Sequence, residues 1–208
     1  MKFLYILGLL LLPFTIFASA LHVAVKNEDF NKVKTLVASG VDINEKNEKY
    51  GRTPLQIASF KQNAKIIKFM IDSGADVDLK MNNGRTALHI SAFYGDVKSV
   101  TYLVNANASV SIKGNEGITP LHKAAQGGSV NTIKILLKSG ADINALSDDK
   151  STPLHVAAYM GNEKALNFLV KNGANVNSKN LDGRTPLDEA IDAEEDTTIK
   201  ALEKLTLN

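Results

Sequence analysis

The chain has no cysteine, which excludes disulfides, thiolate zinc sites, cysteine nucleophiles and lipoprotein-type processing, so its stability must come from packing. It has no large surplus of either charge. In 208 residues, 24 Lys and Arg stand against 22 Asp and Glu, a net charge of +2, without the dense basic field that duplex nucleic acid requires. Nucleic acid is therefore not an expected partner. Arginine is scarce, occurring only at Arg52, Arg85 and Arg184. Three catalytic signatures are also missing: a Gly-rich phosphate loop, a His-Glu-x-x-His helix and a nucleophile elbow. The expectation is a protein that is not an enzyme and that uses neither cofactor nor metal. What the chain does have is ordinary globular composition, 44% hydrophobic and 22% charged, and enough length for a substantial core.

Residues 1–20, MKFLYILGLLLLPFTIFASA, need a separate argument. One positive residue, Lys2, precedes an apolar stretch from Phe3 to Leu12, Pro13 breaks it, and Ala18-Ser19-Ala20 supplies the small residues that a signal peptidase accepts. This is the layout of a secretory signal peptide and predicts a mature chain starting at Leu21. The competing reading is an uncleaved anchor, but the apolar stretch is near the lower limit for a bilayer span and Pro13 interrupts it. Membrane contact is expected only if this segment stays uncleaved.

Self-similarity organises the rest. TPLQIA begins at 53, TALHIS at 86, TPLHKA at 119, TPLHVA at 152 and TPLDEA at 185, each step being 33 residues. A degenerate copy, LHVA, opens at Leu21, and the loop after it, NEKNEKYGR, has one residue more than the others. This pattern resembles the ankyrin repeat, and the chain looks like a bacterial-type ankyrin repeat protein with a secretory signal. The resemblance implies an all-α repeat solenoid of stacked helix-turn-helix units with β-hairpin loops. Its repeats would span approximately 21–51, 52–84, 85–117, 118–150 and 151–183, with a C-terminal capping repeat at 184–208.

The unit at 118–150 shows why these residues fold this way. Thr119 suits a helix N-cap and Pro120 the first turn, where its missing amide hydrogen costs nothing. Gly127-Gly128 ends this short helix. Val130, Ile133, Leu136 and Leu137 then recur at helical spacing up to Gly140, where a left-handed residue closes the second helix. Asn107 stands at the corresponding place one repeat earlier, and Lys150 replaces a tip residue that is Gly51, Gly84, Gly117 and Gly183 in the other units. One helix pair cannot bury its apolar face alone, so neighbours must stack and both ends need caps. Cleavage after Ala20 should leave a first helix with Lys26, Glu28 and Asp29 near its first turn, and the acidic run around Glu194-Glu195-Asp196 should face solvent.

His89, His122 and His155 recur at the same point of successive short helices, where Gln56 and Asp188 stand in the second and last units. Equivalent atoms in stacked helices lie roughly 10 Å apart, too far to share one ion. The ankyrin resemblance implies instead that this histidine tightens the corner between hairpin and helix through hydrogen bonds to backbone and threonine groups.

The same resemblance places partner binding on a concave face built from hairpin tips and the ends of the short helices. By phase, that face carries Phe60, Phe93, Tyr94, Tyr159 and Met160, with Lys80, Arg85 and Lys113 on the tips. Phe60, Phe93 and Tyr159 share one phase and are expected in one row, Tyr94 and Met160 in the next, with Gln126 and Gly127 leaving a dip. The expected function is a non-enzymatic, exported, monomeric protein-interaction scaffold, periplasmic or secreted. The alternatives are a membrane-tethered adaptor and a secreted effector acting on a host component.

Overall fold

The computed structural model describes residues 14–206. They form six helix pairs: α1 (Phe14–Lys26) with α2 (Phe30–Ala38), α3 (Pro54–Phe60) with α4 (Ala64–Asp72), α5 (Ala87–Phe93) with α6 (Val97–Asn105), α7 (Pro120–Gly127) with α8 (Val130–Lys138), α9 (Pro153–Tyr159) with α10 (Glu163–Lys171), and α11 (Pro186–Asp192) with α12 (Asp196–Thr206). The expected start of the signal segment, Lys2 to Pro13, lies outside the described residues. The backbone of α1 is helical from Phe14, so a cut after Ala20 would leave Leu21–Lys26 of that helix. No described helix is long and apolar enough to cross a membrane.

Each short helix from α3 to α11 starts at a threonine. Thr53, Thr86, Thr119, Thr152 and Thr185 each close a reciprocal capping box with the third residue of the helix, and in four of the five a proline fills the first turn. The partner helices α2, α4, α6 and α8 are capped by the side chains of Asp29, Asn63, Asp96 and Ser129, which accept backbone amides that would otherwise be unpaired. Lys26, Glu28 and Asp29 do not lie near the first turn of the first helix as expected. Lys26 ends α1, Glu28 turns the chain at φ 58°, and Asp29 caps α2, because the first unit makes its own helix-to-helix corner there.

The odd-numbered helices stack in one layer and the even-numbered helices in a second. Leu21, Leu55, Leu88, Leu121 and Leu154 form a ladder through the first layer, each no more than 1% exposed. Val33, Ile67, Val100, Ile133 and Leu166 answer it from the second. Burying each such side chain is worth roughly 1.5–3 kcal/mol, and every rung is shared between neighbouring units, so the units hold together only as a stack.

Asn107 closes α6 at φ 62°, and Lys150 takes φ 61° at its tip, so both non-glycine residues adopt the left-handed backbone of the glycines they replace. The interrepeat tips are turns without assigned strands among the described residues. Backbone bonds within the turn close each tip, as from Met81 N–H to Arg85 O and from Gly84 N–H to Met81 O, both at 2.9 Å, and another stitches each later tip to the preceding one, as from Asp148 N–H to Glu116 O at 2.9 Å. These bonds lie within the turn itself and do not continue into the ladder of a β-hairpin.

Candidate functional site

The corner between tip and short helix is built from a histidine in four of the six units. In the fourth unit His122 Nδ1 accepts from the Thr119 amide at 3.3 Å and lies 2.8 Å from Thr119 Oγ1, while Nε2 lies 3.0 Å from Ser151 O in the next tip. With Nδ1 accepting an amide, the proton sits on Nε2 and the ring is neutral. His89 bonds to Thr86 and Ile118 O in the same way, and His155 to Thr152 and Arg184 O. His22 Nε2 lies 3.0 Å from Arg52 O, so the degenerate first copy makes the same bond to the next tip. Gln56 performs the local half of this task, its side-chain oxygen accepting from Thr53 N–H at 2.8 Å, but its amide donates to Leu79 O. Burial pushes His89 and His122 down to about 4, and lowers His155 as well.

These histidines are thus framework, and so in part are two tip lysines. Lys80 Nζ donates to Lys113 O at 2.8 Å, and Lys113 Nζ donates to Leu146 O at 2.8 Å, each reaching one repeat forward. An ammonium has three donors, so both keep hydrogens for a partner. Arg85 lines a small hollow of about 130 Å³ with Asn83, Glu116 and Lys123.

The face made by tips and short helices carries two larger grooves. The first, about 740 Å³, lies at units one and two and is lined by Tyr50, Arg52, Ile57 and Phe60, with Lys26, Lys46, Lys49 and Lys61 outnumbering Glu45 and Glu48. The Arg52 guanidinium lies 4.3 Å from the centroids of both the Tyr50 and the Phe60 ring. Phe60 in turn meets Tyr94 edge-on at 6.4 Å, and Tyr94 meets Phe93 at 5.2 Å. Two buried polar atoms in this groove, Arg52 Nε and Glu45 Oε2, have no hydrogen-bond partner.

The second groove, about 430 Å³, lies at units four and five under Tyr159 and Met160, with Glu116, Asp149 and Glu189 around the half-buried Lys123. Burial, and then the Arg85 charge, lower the Lys123 ammonium. The face is therefore basic at its amino end and acidic at its carboxyl end.

Of the residues read from the sequence, the fold brings Phe60, Phe93 and Tyr94 together and leaves Tyr159 and Met160 apart. Unit four, with Gln126 and Gly127, stands between Phe93 and Tyr159, and Gly127 packs so closely on Phe93 that a Cβ there would overlap the Phe93 carbonyl. Phe60 contacts Tyr94, the neighbouring phase of the next unit. Phe93, Tyr94, Tyr159 and Met160 are between 39% and 50% exposed. Tyr50 and Arg52 are not among the residues that repeat phase assigns to this face, although the extra residue in their loop is a signal that marks them.

A model of the ankyrin repeat family, in three copies, matches residues 21–114, 106–180 and 152–206. An ankyrin repeat protein of Fowlpox virus (strain NVSL) is 41% identical over 61 residues, covering 29% of this chain and 15% of the viral protein. One from Rickettsia bellii (strain RML369-C) is 35% identical over 63 residues, covering 29% of this chain and 9% of its own length. The chain thus spans only a small part of the relatives it matches.

Proposed function

The chain belongs to the ankyrin repeat family, whose repeats generally mediate protein–protein interaction, and from that premise we propose that it is a non-enzymatic scaffold, exported by a bacterial cell, that binds a partner protein through the face of tips and short helices. The observation that carries this reading is the stack Tyr50–Arg52–Phe60–Tyr94–Phe93, in which the rings of Tyr50, Tyr94 and Phe93 are exposed, with unpartnered Arg52 Nε and Glu45 Oε2 beside it. Large rings open to solvent are costly unless something covers them, and aromatic and arginine anchors dominate interface energetics. The groove suits an apolar protuberance or helix whose acidic end lies over Lys46, Lys49 and Lys61. Its other end would reach Glu116 and Asp149.

The test is capture of partners by the parent chain and by a Phe93→Ala/Tyr94→Ala variant from the protein's native compartment, followed by mass spectrometry. A protein retained by the parent and lost by a variant that still melts cooperatively supports the reading. Equal retention by both sinks it. Turnover of a host component by the purified chain, or an intact amino terminus in the membrane fraction, would favour the effector or the tethered adaptor instead.

A further inference from the structure

The strongest concentration of like charge is not in the grooves but on the opposite side, along the second helix of each unit. Helices α2, α4, α6, α8 and α10 carry nine lysines between them and two carboxylates, Asp72 and Glu163. All nine lysines are exposed, because the apolar positions of the same helices turn towards the short-helix layer. Among the described residues only Lys68 of the nine meets a carboxylate, that of Asp72 one turn along. Asp29 and Asp96, at the amino ends of α2 and α6, accept the backbone amides of Lys32 and Ser99. The basic face ends at the cap, where Glu194, Glu195 and Asp196 precede or open α12.

Half-buried rings lie between these lysines. Phe30 meets Phe69 edge-on at 5.5 Å, Lys34 and Lys65 lie 5.1 and 4.1 Å over the Phe30 ring, and Lys68 lies 5.9 Å from that of Tyr102. They border a shallow groove of about 430 Å³. Five helices packed at roughly 10 Å spacing spread the charges over about 40 Å, which calls for an extended anionic surface rather than a single anion.

The type of charge narrows the choice. All three arginines lie at the tips or just after them, and the second helices use lysine alone. Lysine is a compact, hydrated point charge on a flexible stem, less suited than the arginine fork to nucleic-acid recognition and able to be drawn to an anionic lipid surface. Lys2 and the apolar stretch from Phe3 to Leu12 have the layout of a secretory signal, which would bring the chain to a bilayer during export.

We propose that the second-helix face docks on a bilayer surface rich in anionic phospholipid, leaving the tip and short-helix face turned away from the membrane and open to its protein partner. Lysines would contact headgroups while Phe30, Phe69 and Tyr102 sit among them at the interface.

The experiment is flotation of the purified full chain with vesicles of phosphatidylcholine, alone or mixed with phosphatidylglycerol, across a salt series. Phosphatidylglycerol should raise binding by about tenfold or more at low salt, and the gain should vanish as salt is raised. Lys65→Glu/Lys98→Glu/Lys134→Glu should abolish the gain. The same charge change at the tips, Lys46→Glu/Lys49→Glu/Lys179→Glu, should leave it. All variants keep the apolar amino-terminal segment, so its contribution cancels. Equal binding to both lipids overturns the proposal, as does equal loss in both triple variants, which would reflect net charge alone. Tighter retention by duplex DNA at matched phosphate also overturns it, since the face would then be a nucleic-acid surface. If the second-helix variant does not melt cooperatively, the parent's salt series decides: phosphatidylglycerol binding that resists salt rejects the proposal.

Discussion

The side-chain oxygen of Asp148 lies where a Cβ on Gly117, one repeat earlier, would have to project. Asn82 stands in the same way against Gly51, and Asn115 against Gly84. At the fourth tip the pair is Lys150 and Leu181, and Leu181 carries no side-chain oxygen to place there and is 62% exposed. Among the described residues no tip follows Gly183, and a Cβ there would meet nothing within 4 Å. Glycine is thus required twice over at three tips, once for its backbone and once for the neighbour.

Gly117→Ala should therefore destabilise the chain by about 2–4 kcal/mol, combining left-handed strain with displacement of Asp148. Gly183→Ala, which has the first cost without the second, should lose only about 1–2 kcal/mol. Urea denaturation of the two variants side by side checks the difference, and equal losses would show that the neighbouring tip yields freely.

Lys150→Gly removes roughly 1 kcal/mol of left-handed strain and adds a comparable unfolded-state freedom, so it should be neutral or slightly stabilising. A clear loss of stability in the same assay would mean that the lysine stem contributes packing against the tip.

His89, His122 and His155 differ from Gln56 in one respect that matters to pH. His89 and His122, held neutral at about 4 against an ordinary 6.5, take up a proton in the unfolded chain before the folded one. Stability is unaffected above pH 6.5, falls as pH drops from 6.5 towards 4, and levels off below; the loss is on the order of 3 kcal/mol for each of the two. His155 is shifted the same way and adds to it. Replacing His89, His122 and His155 with Gln should keep the fold at neutral pH, as Gln56 does, and flatten the melting temperature between pH 6.5 and 4. An unchanged acid profile in the triple variant would assign the sensitivity to other groups.

Tyr94 touches both Phe60 and Phe93, so Tyr94→Ala should weaken partner binding by about 1–3 kcal/mol, while the buried leucine ladder keeps unfolding cooperative. Calorimetric titration and thermal melting on the same sample separate two roles. A sharp fall in melting temperature with affinity unchanged would make the rings a shield for the stack.

Export predicts a product whose intact mass corresponds to a chain starting at Leu21, which mass spectrometry reads directly. Retention of Met1 or Lys2 in a cytoplasmic product would remove the localisation and leave the fold untouched.

Much of the architecture was legible without coordinates because it is local and repeated. A 33-residue period, a threonine before each short helix and a left-handed residue after each second helix act within a few positions, and even the departures at Asn107 and Lys150 follow that rule. The bonds that stitch each tip to the one before it, the Arg52 guanidinium between Tyr50 and Phe60, and the reach of Lys80 and Lys113 into the next repeat were not legible. Periodicity states which positions are equivalent but not the stagger between units, and that stagger sets Phe60 against Tyr94 rather than Phe93. The sequence by itself determined the repeat, its caps and its turns, since these arise from backbone conformation and neighbouring side chains. Only the tertiary structure decided which side chains from different repeats meet, because that depends on how closely each helix pair seats on the next, as Gly127 does on Phe93.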